Sequence, residues 1–397
     1  PMKNHLPLEG ITVLELGNSV AAPFAGEILG DLGADVIKVE KRDGGDDARK
    51  WAPPYWYGTS AIFQNFNRNK RSVAVELRDP DENARLKAFI LERVDVVLQN
   101  MRPGLVEELG LDGPTLRRSK PELIYANIGA FGASGPYKDR PGYDPLMQAF
   151  GGLMSVTGEE GRPPVRVGTA IVDMGTGLWS VIGIISALLA RTRSGDGCIV
   201  GTSLYETSLA WMGHHAADYL ASAKVPQRQG SGVAQVAPSR GYYTSDGFIF
   251  IAVGNDKLFA LFARVLGHPE WVQDPRFRGN PERVHNREEL YRMIEEVVGT
   301  FTTAELQRVL DAAGVPNAPM QSIDQALAHE QTQALGILQQ SPDGKIALIG
   351  SPLSFDGVRL PFRLSPPALG AQTAEILGGE AKGETNSESK TPQKAQA

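Results

Sequence analysis

From Ile11 to Ile128 the chain alternates short apolar runs with amphipathic stretches. Ile11–Leu16 (ITVLEL) reads as a strand, Gly17–Pro23 as a loop, Phe24–Leu32 as a helix and Val36–Glu40 as a second strand. The pattern continues with SVAVEL from Ser72, then a helix opened by Asp79 as cap with Pro80 at its first position. VDVVL from Val94 and LIYANI from Leu123 are further strands. Apolar strands separated by helices predict an open, mostly parallel Rossmann-like sheet covered on both faces, an α/β domain over roughly the first 200 residues.

Beyond that domain the pattern changes. Met174–Ala190 carries no charge and lies between Asp173 and Arg191. At the short limit for a bilayer span, and carrying Gly175, Gly177 and Gly183 for close packing, it predicts a buried helix with no membrane role. A smaller α+β domain is expected over 226–329. Its hairpin turns at Ser245-Asp246-Gly247, and helices follow from Asp256, from Asn286 and from a capping box at Thr302–Glu305. The proline-rich segment after Leu335 is too short for its own core and should return to the first domain. The large domain is therefore discontinuous, 1–225 with 330–377, and the small, polar residues 378–397 read as a disordered tail.

Composition narrows the function. Lys and Arg number 40 against 46 Asp and Glu, a formal charge of −6, which argues against a nucleic-acid partner. The one cysteine, Cys198, excludes an internal disulfide or a Cys-pair metal site and fits a cytoplasmic, reducing location. Its apolar setting (CIVG) suggests a buried strand residue. The opening PMKNHLPLEG has no apolar run of the kind a secretion signal needs. His214, His215 and Asp218 do not define a metal site, and none is expected.

Motifs exclude more than they assign. G-x-G-x-x-G, G-x-S-x-G, H-E-x-x-H and the P-loop are all absent, which removes the common dinucleotide, hydrolase, metalloprotease and NTPase readings. Cations do gather in loops beside the strands: Lys41 and Arg42, then Arg68, Lys70 and Arg71, then Arg102. Such loops are where α/β folds hold anionic ligands, and solvated surface charge is the alternative. Asp173, just before the long apolar helix, has two local readings. It is either an N-cap or a carboxylate kept ionised by the helix start, able to attack an activated acyl group.

Taken together and in order, PLEGITVLELGNSVAAPFAGEILGDLGADVIKVEK, FNRNKRSVAVEL, GYDPLMQAFGGLMSVTG and VGTAIVDMGTG resemble the family III CoA-transferases, from about Pro7 to Leu377. Within that family GDDARKWAPP, GNDKLFA, RVHNREEL and GVPNAPM are most similar to the succinyl-CoA:glutarate type. The resemblance implies an interlocked homodimer that takes acyl-CoA and a small carboxylic acid as substrates, with no permanently bound cofactor. It makes Asp173 the catalytic aspartate. It places Ser19, Val20, Ala21, Lys41, Lys70, Asn100, Met101 and Tyr143 against CoA, with Arg102 substituting for a family arginine where this chain has Glu108. The mobile glycine run of the formyl-CoA enzyme has no match; Gly230–Pro238 is the nearest, so Gly230, Gly232 and the adjacent Arg240 are the candidate acid-binding residues.

The implied reaction passes CoA through Asp173 by way of a mixed anhydride and an aspartyl-CoA thioester. The rival reading within the fold is a 2-methylacyl-CoA racemase. That activity uses a histidine in a Gly-His-Asp segment, where this chain has Gly142-Tyr143-Asp144. A tyrosine, with an ordinary pKa of about 10, is a poor base near neutrality.

Overall fold

The computed structural model describes residues 5–378. Six strands form the main sheet: β1 (Thr12–Leu16), β2 (Asp35–Glu40), β3 (Lys70–Ala74), β4 (Val96–Gln99), β5 (Ile124–Gly129) and β6 (Ile199–Ser203). Their order is β3-β2-β1-β4-β5-β6, and the first five pair in parallel. This is the doubly wound arrangement, whose order reverses between β1 and β4 and opens a crevice at their carboxyl ends. Leu14, Leu16, Ile37, Val39, Val73 and Val97 are buried in one core with Leu86 and Ile90 of the Pro80–Arg93 helix. Asp79 caps that helix, accepting from the Asp81 and Glu82 N–H groups at 2.9 and 3.1 Å.

Two compact units divide the chain. One takes in the described residues up to Ile128, Gly177–Gly201 and the chain from Gln340; the other takes in Gly129–Thr176 and Thr202–Gln339. The first unit is discontinuous, and the terminal segment joins it from Gln340. Leu364 O accepts the Asn69 N–H at 2.9 Å, Gln372 Oε1 accepts from Ser72 N at 2.8 Å, and Ile376 and Leu377 pack on the core. This return covers the β3 edge, whose free backbone groups would otherwise invite pairing with another chain. Residues 129–176 and 202–225 group with the second unit and not with the first. The expected tail from 378 lies outside the described residues apart from Gly378 itself.

In the second unit, hairpin strands Arg240–Tyr243 and Phe248–Ile251 are joined antiparallel by Asn317–Pro319. Helices Asp256–Val265, Arg287–Val298 and Thr303–Ala313 cover it through Phe259, Phe262, Leu290, Ile294, Leu306 and Leu310. The capping box at Thr302 and Glu305 forms as its spacing predicts.

The long apolar segment is a continuous helix, Ile171–Ser194. By length and composition it could cross a bilayer, and half of its most apolar window is buried within the chain. Its glycines serve close packing: a Cβ on Gly177 would come within 2.9 Å of Ala21 O, and one on Gly183 within 2.6 Å of Val200 Cγ1. Leu178, Trp179, Ile182, Ile185 and Leu189 remain exposed along it. Cys198 is exposed as well, contrary to its apolar sequence setting, because it immediately precedes the sheet-edge strand β6.

Candidate active site

At the crevice in the first unit, the loop after β1 is held from below and from the side. Lys38 and Asp46 are fully buried, and Lys38 Nζ reaches Glu15 Oε2 at 2.8 Å, Gly17 O at 2.9 Å and Asp46 Oδ2 at 2.9 Å. Burial acts to lower the Lys38 pKa, but Glu15 and Asp46 outweigh it and keep the ammonium charged. Asp46 Oδ1 in turn accepts the N–H of Ser19, whose φ of 70° is left-handed, an uncommon state for a residue with a side chain. From β4, Asn100 closes the other side: its Oδ1 accepts from Asn18 N and its Nδ2 donates to Asn18 O, both at 2.9 Å. Helix Ala21–Asp31 then starts at Val20 without a side-chain cap, so no side chain takes up the N–H groups of Ala21 and Ala22.

The structure thus brings Ser19, Val20, Ala21, Asn100 and Met101 to one crevice. Met101 N donates to Gln99 Oε1 at 2.8 Å, which fixes the turn after β4. The cations fare differently. Lys70 is buried, donating to Pro23 O and Asn67 Oδ1 at 2.8 Å and pairing with Glu15 at 2.7 Å, so its ammonium is committed inside the protein. Burial holds its pKa down to about 8; Glu15 opposes that and Lys38 adds to it. Lys41 is exposed and paired with Asp47 at 2.8 Å. Arg102 meets Glu108 through both guanidinium nitrogens at 3.0 and 3.2 Å, so the residue expected to replace a missing arginine is partly neutralised by the one that displaced it.

Asp173 lies in the second unit and is half-buried in the first turn of the Ile171–Ser194 helix. It does not act as the cap. That role falls to Asp144, the first residue of helix Asp144–Phe150, whose Oδ2 accepts the N–H groups of Val172 and Asp173 at 2.7 and 2.9 Å. Asp144 is 4% exposed, and its Oδ1 accepts from Gln148 Nε2 at 2.5 Å. Gln148, fully buried, uses its Oε1 to accept from Val167 N at 2.8 Å. Among the described residues the Asp173 carboxyl has no hydrogen-bond partner, and it is pushed up to about 7 by burial and then by the Asp144 charge. The sequence expectation of a readily ionised group is corrected: the carboxyl that takes the N–H groups of the helix start is that of Asp144. Tyr143, just before it, is 65% exposed.

Also in the second unit, a cavity of about 490 Å³ brings Gly230, Gly232 and Arg240 together with Arg228, Arg287 and Tyr291. Arg240 stacks over the Tyr291 ring at 4.5 Å, with Nη1 3.6 Å from Glu295. Arg287 holds the loop from behind, donating to Ala234 O at 2.6 Å. Asp144, Gln148, Lys38 and Asp46 were not identified as site residues from the sequence. The signal for Asp144 was present in Gly142-Tyr143-Asp144, but its partner lies 29 positions away.

The chain is similar to known proteins along almost its whole length. The model of the family described as CoA-transferase family III matches residues 8–373. The mouse (Mus musculus) succinyl-CoA:glutarate CoA-transferase is 35% identical over 374 residues, covering 94% of this chain and 86% of that protein. A succinate–glutarate CoA-transferase of Agrobacterium fabrum is 35% identical over 380 residues, covering 94% and 95%. Among solved structures, a CAIB/BAIF family protein from Brucella suis superposes with a TM-score of 0.86 at 37% identity, covering 94% of this chain and 99% of that one.

Proposed function

The chain belongs to CoA-transferase family III, and on that premise we propose that it moves CoA from succinyl-CoA or a similar donor to a free dicarboxylic acid through Asp173. One observation carries the assignment: Asp173 stands at the helix start with its capping duty taken by Asp144 and its own carboxyl unbonded. A structural cap would be hydrogen-bonded; a nucleophile must be available.

In the proposed reaction the Asp173 carboxylate attacks the donor thioester carbonyl, giving a mixed anhydride and CoA thiolate. The thiolate attacks the aspartyl carbonyl, which forms an aspartyl-CoA thioester and releases the donor acid. The acceptor carboxylate then attacks that thioester, and the returning thiolate takes the acceptor's acyl group from the second anhydride. Every step exchanges one activated acyl bond for another, so the chemistry needs neither ATP nor a bound cofactor; CoA enters as substrate. Ser19, Val20, Ala21, Asn100 and Met101 are the proposed CoA contacts, with Lys41 and Arg102 as phosphate partners once they leave Asp47 and Glu108. Lys70 supports the loop from inside. Backbone N–H groups around residues 20–22 would steady developing oxyanions; that of the preceding Ser19 is spent on Asp46. Tyr143 lies near the thioester in this reading.

The dicarboxylate assignment draws on Arg240 at its cavity, beside Gly230 and Gly232, and on the names of the mouse and Agrobacterium relatives. It is tested by incubating the enzyme with a panel of acyl-CoA donors and acids and following new acyl-CoA masses. C4–C5 dicarboxylates should exceed monocarboxylates by at least tenfold in kcat/KM, and a preference for monocarboxylates would refute the assignment. The racemase reading is disfavoured by Tyr143 in the histidine position.

An interlocked homodimer is part of the proposal, supported by the exposed apolar row from Leu178 to Leu189. Sedimentation velocity should give a dimer for the wild type and a monomer or aggregate for Ile182→Glu. A monodisperse wild-type monomer would remove the dimer from the account. A cytoplasmic enzyme without membrane or nucleic-acid partners fits the −6 charge and single cysteine.

A further inference from the structure

We propose that Asp144 is a positioning residue for Asp173: its buried carboxylate closes the start of the Ile171–Ser194 helix through two backbone bonds and stands as a second negative charge beside the reacting carboxyl. The inference rests on the reading of Asp173 as the acyl carrier, and it adds a cause for that carrier's reactivity.

The geometry leaves Asp144 little freedom. One oxygen holds the Val172 and Asp173 N–H groups, the other holds Gln148 Nε2, and Gln148 is tied to Val167 N. The chain of bonds therefore runs from the loop at Val167, through two buried side chains, to the backbone of Asp173 itself. An anion at a helix start is normally favoured by the open N–H groups. Here those groups are already satisfied, so a second carboxylate in the same first turn gains little from them and meets burial and the first one's charge. Among the described groups Asp144 is the charged neighbour that acts on Asp173. The side chains packed around this helix start from other elements, Gln148, Thr207 and Trp211, carry no charge, and Arg166 in the preceding loop turns its guanidinium to Val167 O.

The arrangement has a chemical use. Repulsion between the two carboxylates exists only while Asp173 is ionised and free. In the anhydride and in the aspartyl-CoA thioester Asp173 is neutral, so each acylated state is relieved of it. Destabilising the free carboxylate in this way favours acylation and makes the group a stronger nucleophile than an ordinary aspartate. Asp144 never exchanges a bond with substrate in this scheme.

The test is the titration of Asp173 in the full-length protein, followed by ¹³C NMR of carboxyl-labelled aspartate, with the resonance assigned by its loss in Asp173→Ala. The wild type should titrate near pH 7. In Asp144→Asn the midpoint should fall by about one pH unit or more, as expected for removal of an adjacent like charge. The rise of kcat/KM with pH should move down with it, while kcat above the midpoint drops about tenfold and KM for acyl-CoA stays within about twofold. Asparagine turns a donor toward Gln148, so the single variant is strained. Asp144→Asn with Gln148→Glu restores both acceptors, moves the charge away from Asp173, and should also titrate below the wild type. An unchanged or raised midpoint in whichever variant folds overturns the inference, as does a wild-type midpoint near 4. If the midpoint falls as stated in a protein that transfers no CoA, the positioning role stands and the transferase reading fails.

Discussion

Replacing Asp173 with alanine should lower CoA transfer by roughly 10⁴-fold or more while leaving CoA affinity within a few-fold of wild type. The nucleophile would be gone, and no other described carboxylate at that helix start is free to substitute, since Asp144 is bound to two N–H groups and Gln148. Affinity should survive because the candidate CoA contacts lie in the loops after β1 and β4. The fold should survive too. Asp173 is not the cap, and alanine is a good residue inside a first turn. The sign of the pH effect separates loss of chemistry from loss of fold. Asp173 titrates near 7 in the folded chain and near 3.8 unfolded, so its ionisation opposes folding progressively between those values and fully above 7. The alanine variant should therefore melt at or above the wild-type temperature at pH 8. A variant that retains turnover within tenfold, or that melts well below wild type, contradicts this assignment of Asp173.

The second large effect concerns Lys38. Lys38→Met should destabilise the protein by about 3–5 kcal/mol, because it leaves Asp46 buried without its compensating cation and Glu15 with Lys70 alone. For a unit of this size that corresponds to a fall in melting temperature on the order of 10 °C. Lys41→Met is the control. It breaks an exposed pair with Asp47, and such pairs contribute about 0–1 kcal/mol. Lys38 also donates to Gly17 O, and its partner Asp46 holds Ser19 in the left-handed region. The KM for acyl-CoA should accordingly rise in Lys38→Met, measured at a temperature where the variant is still folded. Equal melting temperatures for the Lys38 and Lys41 variants would contradict the view that the buried pair supports the loop.

These predictions also mark what the sequence made legible. The strands were readable because β1, β2, β4 and β5 are buried on both faces and so are mostly apolar, although β1 and β2 also bury Glu15 and Lys38. The return of the terminal segment was readable from its shortness and its prolines. Asp173 stood out because it lies beside the one long uncharged stretch. The role of Asp144 did not, because a cap supplied from 29 positions away leaves no local spacing signal, and the nearer aspartate looked like the cap. Lys70 appeared in a run of surface-like cations, yet three internal partners take up its ammonium. Cys198 looked buried because its neighbours are apolar, but an edge position leaves one side open. In each case the error lay in long-range pairing, which composition and periodicity do not encode.

Trapping the carrier during turnover bears on the whole account more directly than any rate. Hydroxylamine added to enzyme with succinyl-CoA and glutarate should attack the activated aspartyl carbonyl and leave a hydroxamate. Peptide mass spectrometry should then find that mass increase on Asp173 alone, dependent on the acyl-CoA donor and absent from Asp173→Ala. If the enzyme turns over at its normal rate and Asp173 stays unmodified while CoA still moves, the covalent relay is wrong.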